Sequence, residues 1–498
     1  MTGHMAAALV EAGVNVDADA YAMARAFLEA ERALHGVFSV EATNHPASTP
    51  FGHQRAAIAA IQHGDAVFLA HEMGTGKTFS CIAALDGLDA RRVLVLAPLS
   101  VVPVWGREVE RRGAVSRWVE SLDRGSVATK TARARNALTL NTPVMVVCNY
   151  ESAWRAPLAK LLLDTEWDAV ICDESHRLKD HRGKASQFAK KLGLRARKRI
   201  CLTGTPMPNS PLDLFGQMQF LEPSVFGVNY YEHRSRYAVM GGYNQHQVVA
   251  YRDLSDLFAR WERLAHRVAS ADVLDLPDAT HMQIEVGLGR EASALYRELS
   301  GSLQASVASG TVTVGNALTE LLRLQQVTGG AVTLDGGESA VVDTAKGDAL
   351  RDLLEGLPAT EPVVVFARFR ADLDAIHRAA ASAGRESTEL SGRVNGLDAW
   401  QRGGCPVIAV QIQAGGLGVD LSRARYCVYY SLGYSLGDYQ QSVARIHRQG
   451  QTRPCFYYHL LARLDDGEET VDGAVYRAIK KKKKIVDAVF SMFYSDLR

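Results

Sequence analysis

The sequence predicts an α/β protein made of two parallel-sheet lobes, a helical insertion between them and flanking helices. Three observations lead there. Short, near-continuous apolar runs alternate with segments of helical period, the pattern of parallel strands covered on both faces. The alternation comes in two blocks, and its rhythm stops between about residues 210 and 340. One apolar run, 66–70, feeds a glycine-rich loop, HEMGTGKT at 71–78, that opens a helix.

Residues 5–36 place Ala, Leu and charged residues at helical spacing, so accessory helices and a linker are expected over 1–45. The first lobe spans 46–222, with a helix opening at Phe51-Gly52-His53-Gln54, strands at 66–70, 93–97, 144–148, 168–172 and 199–202, and helices at 78–88 and 103–112. A mainly helical insertion covers 223–340, where Tyr230, Tyr231, Trp261 and the run LTELLRLQQV supply aromatic or leucine faces. The second lobe spans 341–462, with strands at 363–366, 407–411 and 426–430 and a helix over 370–383. The tail, 463–498, reads as one basic helix carrying lysines 480–484. A solvated face is the simpler reading of that run and a phosphate contact the sharper one.

Composition sets limits. Hydrophobic content of 47% and charged content of 22% are those of an ordinary soluble chain. A formal net charge of +1 means that any nucleic-acid binding must come from local basic patches. The seven cysteines form no C-x-x-C pair, and Cys148, Cys172, Cys201 and Cys427 lie in strand-like apolar runs. Small buried thiols in a reducing compartment fit this better than a disulfide framework. The N-terminus lacks a basic stretch followed by a long apolar one, and no apolar run is long enough to cross a membrane. A cytoplasmic location without a membrane partner is expected.

The chemistry starts at the loop. Gly74 and Gly76 let backbone N–H groups turn inward around phosphate oxygens, and Met73, Thr75, Lys77 and Thr78 complete the cradle. Lys77 would reach the β and γ phosphates and the Thr78 hydroxyl would hold Mg²⁺. The strict phosphate-loop pattern is not met, because His71 occupies its first glycine position. About a hundred residues on, the strand VIC ends in Asp173-Glu174. Asp173 suits Mg²⁺ held through water, and Glu174 suits orienting and deprotonating an attacking water. Thr203-Gly204-Thr205 ends the next strand with hydroxyls that could bond the acidic pair. Far downstream Arg445 and Arg448 stand at i, i+3, one face of a helix, where two guanidiniums can stabilise transition-state charge. Such a finger is worth roughly 10³–10⁵ in rate.

Together HEMGTGKT, LAPLSVVPVW, VICDESH, LTGTPMPN, AGGLGVDL and QSVARIHRQGQ resemble, in order, the motifs of superfamily 2 helicase-like ATPases. Within these they look like the Swi/Snf-related DNA translocases, over residues 51–461. The resemblance implies two RecA-like lobes with ATP and Mg²⁺ in the cleft between them. It implies tracking on double-stranded DNA without strand separation, by a chain that is monomeric when free and has an unidentified recruiting partner. By position, Gln54 resembles the glutamine that reads adenine, and Lys77, Thr78, Asp173 and Glu174 the residues that handle phosphate, metal and water. Gly418, Asp420, Arg445 and Arg448 would come from the second lobe. Backbone contacts to DNA fall on Val101, Arg107, Asn149, Tyr150, Arg368, Arg370 and Gln411.

Some positions depart from the family. His71 and Asp420 replace the usual Asp and Asn, Gln411-Ile412 replaces a DNA-touching Ser/Thr pair, and Gly433-Tyr434-Ser435 replaces Trp-Asn-Pro. No histone-reading module is evident, so the chain looks like the short bacterial or phage members. A strand-separating DNA or RNA helicase is the competing enzyme reading, and an ATP-gated DNA clamp the competing binding module.

Overall fold

Strands form where apolar side chains fill both faces of a sheet, and the longest such runs build the centre of each half of this chain. The computed structural model describes residues 49–241, 247–273, 275–308, 314–333, 338–412, 419–448 and 450–494. The helices expected over 1–45 lie outside these residues. The chain divides into two units, Met1–Leu274 and Asp275–Arg498.

The first unit holds β1 (Ala66–His71), β2 (Arg92–Ala97), β3 (Trp118–Leu122), β4 (Val144–Asn149), β5 (Trp167–Asp173), β6 (Ala196–Leu202), the hairpin β7 (Ala238–Gly241) and β8 (Gln247–Tyr251), and β9 (Ala265–Val268). Seven of them make one sheet in the order β3-β4-β2-β5-β6-β1-β9, with every pairing parallel. Every residue of β1 and β4 is buried, as the continuous apolar runs require. Its helices include α1 (Gly52–His63), α2 (Lys77–Gly87), α3 (Val102–Arg112), α4 (Lys184–Gly193), α5 (Leu214–Leu221), α6 (Leu254–Glu262) and the single turn α7 (Ser270–Val273). On α3, Pro103 sits in the first turn, and Val102, Trp105 and Val109 form the stripe that packs on the sheet. His71, Ala97, Asn149, Asp173 and Leu202 end their strands along one edge.

The second unit repeats the plan. Its strands are β10 (Ala279–Gly287), the pair β11 (Ala331–Thr333) and β12 (Ser339–Val341), β13 (Val363–Ala367), β14 (Ser387–Leu390), β15 (Val407–Gln411), β16 (Tyr426–Tyr429) and β17 (Cys455–Arg463). Six form an all-parallel sheet in the order β10-β17-β16-β13-β15-β14. Around it stand α8 (Val314–Gly329), α9 (Ala345–Glu355), α10 (Arg370–Ser382), α11 (Leu436–Val443) and α12 (Val471–Tyr494).

The stretch 223–340, expected as a mainly helical insertion, carries strands as well as helices. Among the described residues six strands begin there, and two of them extend the main sheets: β9 adds an edge to the first and β10 an edge to the second. Both are edge strands, so they lack the continuous apolar signature. β9 reads Ala-His-Arg-Val, and β10 is exposed at most alternate positions. The stretch is also not a unit of its own, because the division between units falls inside it. All seven cysteines are free and buried. Among the described residues no helix is long and apolar enough to cross a membrane.

One close contact fixes the turn that follows the acidic pair. Ser175 Oγ donates to Gln217 Oε1 at 2.9 Å, and Gln217 Nε2 donates to the carbonyls of Pro206 (2.7 Å) and Asp213 (3.0 Å). The helix α5 comes this near because of Gly216, where a Cβ would lie 2.1 Å from the Leu178 carbonyl oxygen and 2.8 Å from that of Lys179. Gly216→Ala should therefore destabilise the protein by about 1–3 kcal/mol in denaturant titration. Gly347→Ala on α9 meets nothing within 4 Å and should be neutral or stabilising by up to about 1 kcal/mol. Equal effects at the two sites would contradict the packing account.

Candidate active site

After His71 the backbone turns through Gly74 (φ +81°) and Gly76 (φ +88°), conformations that favour glycine, and Lys77 begins α2. A Cβ on Gly76 would lie 2.3 Å from Gln54 Nε2, so the loop closes against that side chain. Gln54 is buried: its Oε1 accepts the Phe51 N–H at 3.0 Å and its Nε2 donates to the Thr75 carbonyl at 3.1 Å. Thr75 Oγ1 donates to the Glu72 carbonyl at 2.7 Å. The Lys77 ammonium donates to the carbonyls of His71 (2.7 Å) and Glu72 (3.2 Å), folded back over its own loop. Met73 and Thr78 are half-buried beside it. From the next strand end, Gly204 approaches so closely that a Cβ would meet the His71 carbonyl oxygen at 3.2 Å.

Asp173 ends β5 almost fully buried. Its Oδ2 accepts the Trp105 indole N–H at 2.8 Å and its Oδ1 the Glu174 backbone N–H at 2.9 Å, while Tyr150 Oη donates to its carbonyl at 2.8 Å. Burial, then the charge of Glu174, pushes the Asp173 carboxyl up to about 6; the Trp105 hydrogen bond and Lys77 pull the other way. Glu174 has φ +50°, a left-handed conformation that is costly for a residue with a side chain. That turn aims its carboxylate at Thr203, whose Oγ1 donates to Glu174 Oε2 at 3.3 Å. His176 Nδ1 lies 3.0 Å from Thr203 Oγ1 and 3.4 Å from Glu174 Oε2. The expected link between the Thr-Gly-Thr turn and the acidic pair is thus made by Thr203.

In the second unit Arg445 and Arg448 do not ride a helix. α11 ends at Val443, and both arginines sit in the turns after it. After Val443 the bonds tighten, the Arg445 and Ile446 N–H groups donating to the Ser442 and Val443 carbonyls at 3.2 Å, while the Arg445 carbonyl accepts the Leu421 N–H at 3.0 Å and Ile446 is buried between the two arginines. Arg448 Nη1 stands 3.9 Å from the exposed carboxylate of Asp420, whose Oδ1 also accepts the N–H and Oγ of Ser422. Gly418 lies outside the described residues.

The proposed DNA contacts separate by exposure. Tyr150 is buried with its hydroxyl spent on Asp173, so it is a prop of the acidic strand and not a surface contact. Asn149 is buried too, accepting from Lys130 Nζ at 3.0 Å and donating to Glu151 at 2.9 Å. Both were expected to face DNA; Asn149 is the last residue of β4 and Tyr150 opens the short helix that follows, and both are buried. Val101 is the half-buried cap of α3, and Arg107 is exposed on it. Arg368 is half-buried and bonded to Gln325, Arg370 is exposed at the start of α10, and Gln411 Nε2 donates to the Arg368 carbonyl at 3.4 Å.

Beneath the 368–370 turn lies a closed polar network. Asp372 accepts from Ser431 Oγ (2.5 Å) and Phe369 N–H (3.1 Å), and burial raises its carboxyl to about 6. Lys346 and Asp472 form a buried pair at 2.5 Å, tied to the Tyr430 carbonyl and Thr328.

The sequence matches the SNF2-related domain over residues 41–329 and the helicase conserved C-terminal domain over 345–450. The chain belongs to the SNF2-related family. It is therefore a nucleotide-using ATPase of the helicase-like class. It is 27% identical to a protein of Acyrthosiphon pisum secondary endosymbiont phage 1, over 83% of this chain and 92% of that one. To the ATP-dependent helicase YqhH of Bacillus subtilis it is 24% identical, over 89% and 80%. The CHD3-type chromatin-remodeling factor PICKLE of Arabidopsis thaliana is 24% identical over 84% of this chain, which spans only 32% of that protein. The Sulfolobus solfataricus SWI2/SNF2 ATPase core in complex with dsDNA aligns at 23% identity and a TM-score of 0.43, over 85% of this chain and 90% of that chain.

Sequence reasoning missed three residues that shape this SNF2-related site. Trp105 closes the LAPLSVVPVW motif, and an indole N–H there was a signal that a buried acceptor lay nearby. His266 and Ser270 carry no local signal, since their partners lie 195 and 198 residues away.

The raised Asp173 carboxyl has a measurable sign. Between its ordinary value of 3.8 and about 6 the folded nucleotide-free protein binds more protons there than the unfolded chain. The group therefore lowers stability as pH rises through that window, and its cost is complete above about 6. Asp173→Asn cannot titrate, so its stability relative to wild type should rise between about pH 4 and pH 7 by on the order of 1–3 kcal/mol. Urea titrations of both proteins across that range check this, and a flat difference would contradict it.

Proposed function

We propose that this ATPase is a translocase driven by ATP hydrolysis on double-stranded DNA, moving on it or remodelling DNA–protein or branched DNA without general strand separation. One observation carries the reading: a glycine loop with Lys77 at its helix end meets a buried Asp173 and a turned-out Glu174 on one edge of a parallel sheet. A strand–loop–helix of this kind is built to receive an anion.

The residues present fit ATP with Mg²⁺. A Cβ would fill the cradle at Gly76, and the Lys77 ammonium rests on carbonyls that a phosphate could replace. Asp173 is held as a buried carboxylate in a place unfavourable to its charge, which a divalent cation would offset. Thr78 and Asp173 would hold the metal, whose part is to neutralise charge on the phosphate oxygens. Glu174 orients and deprotonates the attacking water, with Thr203 and His176 holding its carboxylate. Lys77 contributes charge to nucleotide affinity. The family resemblance assigns Arg445 and Arg448 to transition-state charge and Asp420 and Gly418 to the nucleotide. The family resemblance assigns Gln54 to reading adenine, and its amide Nε2 donates to the Thr75 carbonyl of the loop.

Duplex DNA is the track. A motor that steps along DNA must grip phosphates, because base-reading contacts would have to break at each step. With a net charge of +1 the grip must be local. Arg107 and Arg370 offer exposed guanidiniums for it, and the expected contacts Val101 and Gln411 are half-buried.

Triplex displacement beside forked-duplex unwinding, both with ATP and Mg²⁺, tests the reading. Removal of the third strand without melting of the fork is expected. Melting of the fork with no triplex displacement would replace the translocase by a strand-separating helicase.

A further inference from the structure

The nucleotide loop is held from outside itself. β9 pairs in parallel with β1, placing His266 beside Leu69 and Val268 beside His71. The Glu72 N–H donates to the Val268 carbonyl at 2.9 Å. The Glu72 carboxylate accepts two bonds from Ser270, from its N–H at 2.9 Å and its Oγ at 2.7 Å. One residue earlier, the fully buried His71 brings Nε2 to 2.6 Å from His266 Nδ1, with the ring centroids 4.8 Å apart. Burial lowers both imidazoles, His266 to about 4, so the pair is neutral and shares one proton in that bond. His71 Nδ1 has no hydrogen-bond partner among the described residues. Keeping the proton on Nε2 avoids leaving an orphan donor in the interior.

These are the two residues whose carbonyls receive the Lys77 ammonium. Lys77 must leave those carbonyls to meet a phosphate. What stays behind is the outside hold on His71 and Glu72, together with the bonds of His53 Nε2 (2.8 Å) and Gln54 Nε2 (3.1 Å) to the Thr75 carbonyl. His71 stands where the family usually has Asp, so its partner cannot be read from the family pattern.

We propose that His266 and Ser270 are positioning residues for the nucleotide loop, His266 acting through the ring of His71 and Ser270 through the carboxylate of Glu72. The assignment rests on the reading of this loop as the ATP site. Neither residue touches the nucleotide. Each removes freedom from the loop before ATP arrives, so that less ordering remains when it binds. Their loss should weaken nucleotide binding and leave the hydrolytic step, run by Asp173 and Glu174, nearly as it was.

The test uses the full chain with Ser270→Ala, Ser270→Thr, His266→Phe and His266→Asn, reading ATP binding at equilibrium and duplex-stimulated ATP turnover. Ser270→Ala and His266→Phe should raise Kd and KM for ATP by about fivefold to twentyfold, with kcat within about twofold. Unfolding midpoints should stay within about 3 °C of wild type. Ser270→Thr keeps the hydroxyl and His266→Asn keeps a polar atom near Nδ1, so both should recover most of the affinity. His266→Phe keeps the ring and discards the hydrogen bond. Wild-type ATP affinity in both Ser270→Ala and His266→Phe would overturn the proposal, as would a fall in kcat at unchanged Kd. A wild-type protein that binds no ATP would instead overturn the proposed function on which it rests.

Discussion

Because every pairing in the first sheet is parallel, every strand must deliver its C-terminal residue to the same edge. That single constraint gathers the site. His71 arrives from β1, Asp173 from β5 and Leu202 from β6, and the turns that follow them carry Lys77, Glu174 and Thr203. No long loop is needed to bring these groups together. The register decides the details: Leu69 lies opposite Leu202, and Leu202 opposite Asp173. One slip along β6 would carry Thr203 away from Glu174. The apolar interior of the sheet makes such a slip costly, since β1, nearly all of β5 and the last three residues of β6 are buried.

Charge at this edge is placed under tension. A carboxylate in a buried strand end is held by an indole N–H and a backbone N–H, and by the field of Lys77, yet burial still raises its pKa to about 6. The lysine meanwhile is satisfied by two carbonyls of its own loop. The partners of the Asp173 carboxylate offset its charge less than a divalent cation would. Glu174 adds backbone cost through its left-handed φ, and the cost is borne where a carboxylate must point out of the sheet.

Much of this was legible in the sequence, for physical reasons. Fully buried parallel strands appear as unbroken apolar runs, so 407–411 coincides with β15 and 363–366 with all but the last residue of β13. Lys77, Asp173 and Glu174 were legible because each follows a strand within a few residues. Edge strands were not: the polar residues of β9 and the alternating exposure of β10 hide them within a stretch that reads as helical. Direction was also hidden. Tyr150 follows a strand end just as Glu174 does, and nothing local says that one turns inward and the other outward. The i, i+3 spacing of Arg445 and Arg448 suggested a helix that in fact ends at Val443; beyond it the bonds tighten to three-residue spacing and the Arg445 carbonyl is taken by the Leu421 N–H.

The central claim is that Lys77 and Glu174 serve different steps at one nucleotide. Equilibrium ATP binding combined with single-turnover hydrolysis on Lys77→Ala and Glu174→Gln measures this most directly. Lys77→Ala should weaken ATP binding. Glu174→Gln keeps the shape and removes the base, so it should bind ATP as wild type does and leave it intact. Hydrolysis by Glu174→Gln at a rate near that of wild type would contradict the account.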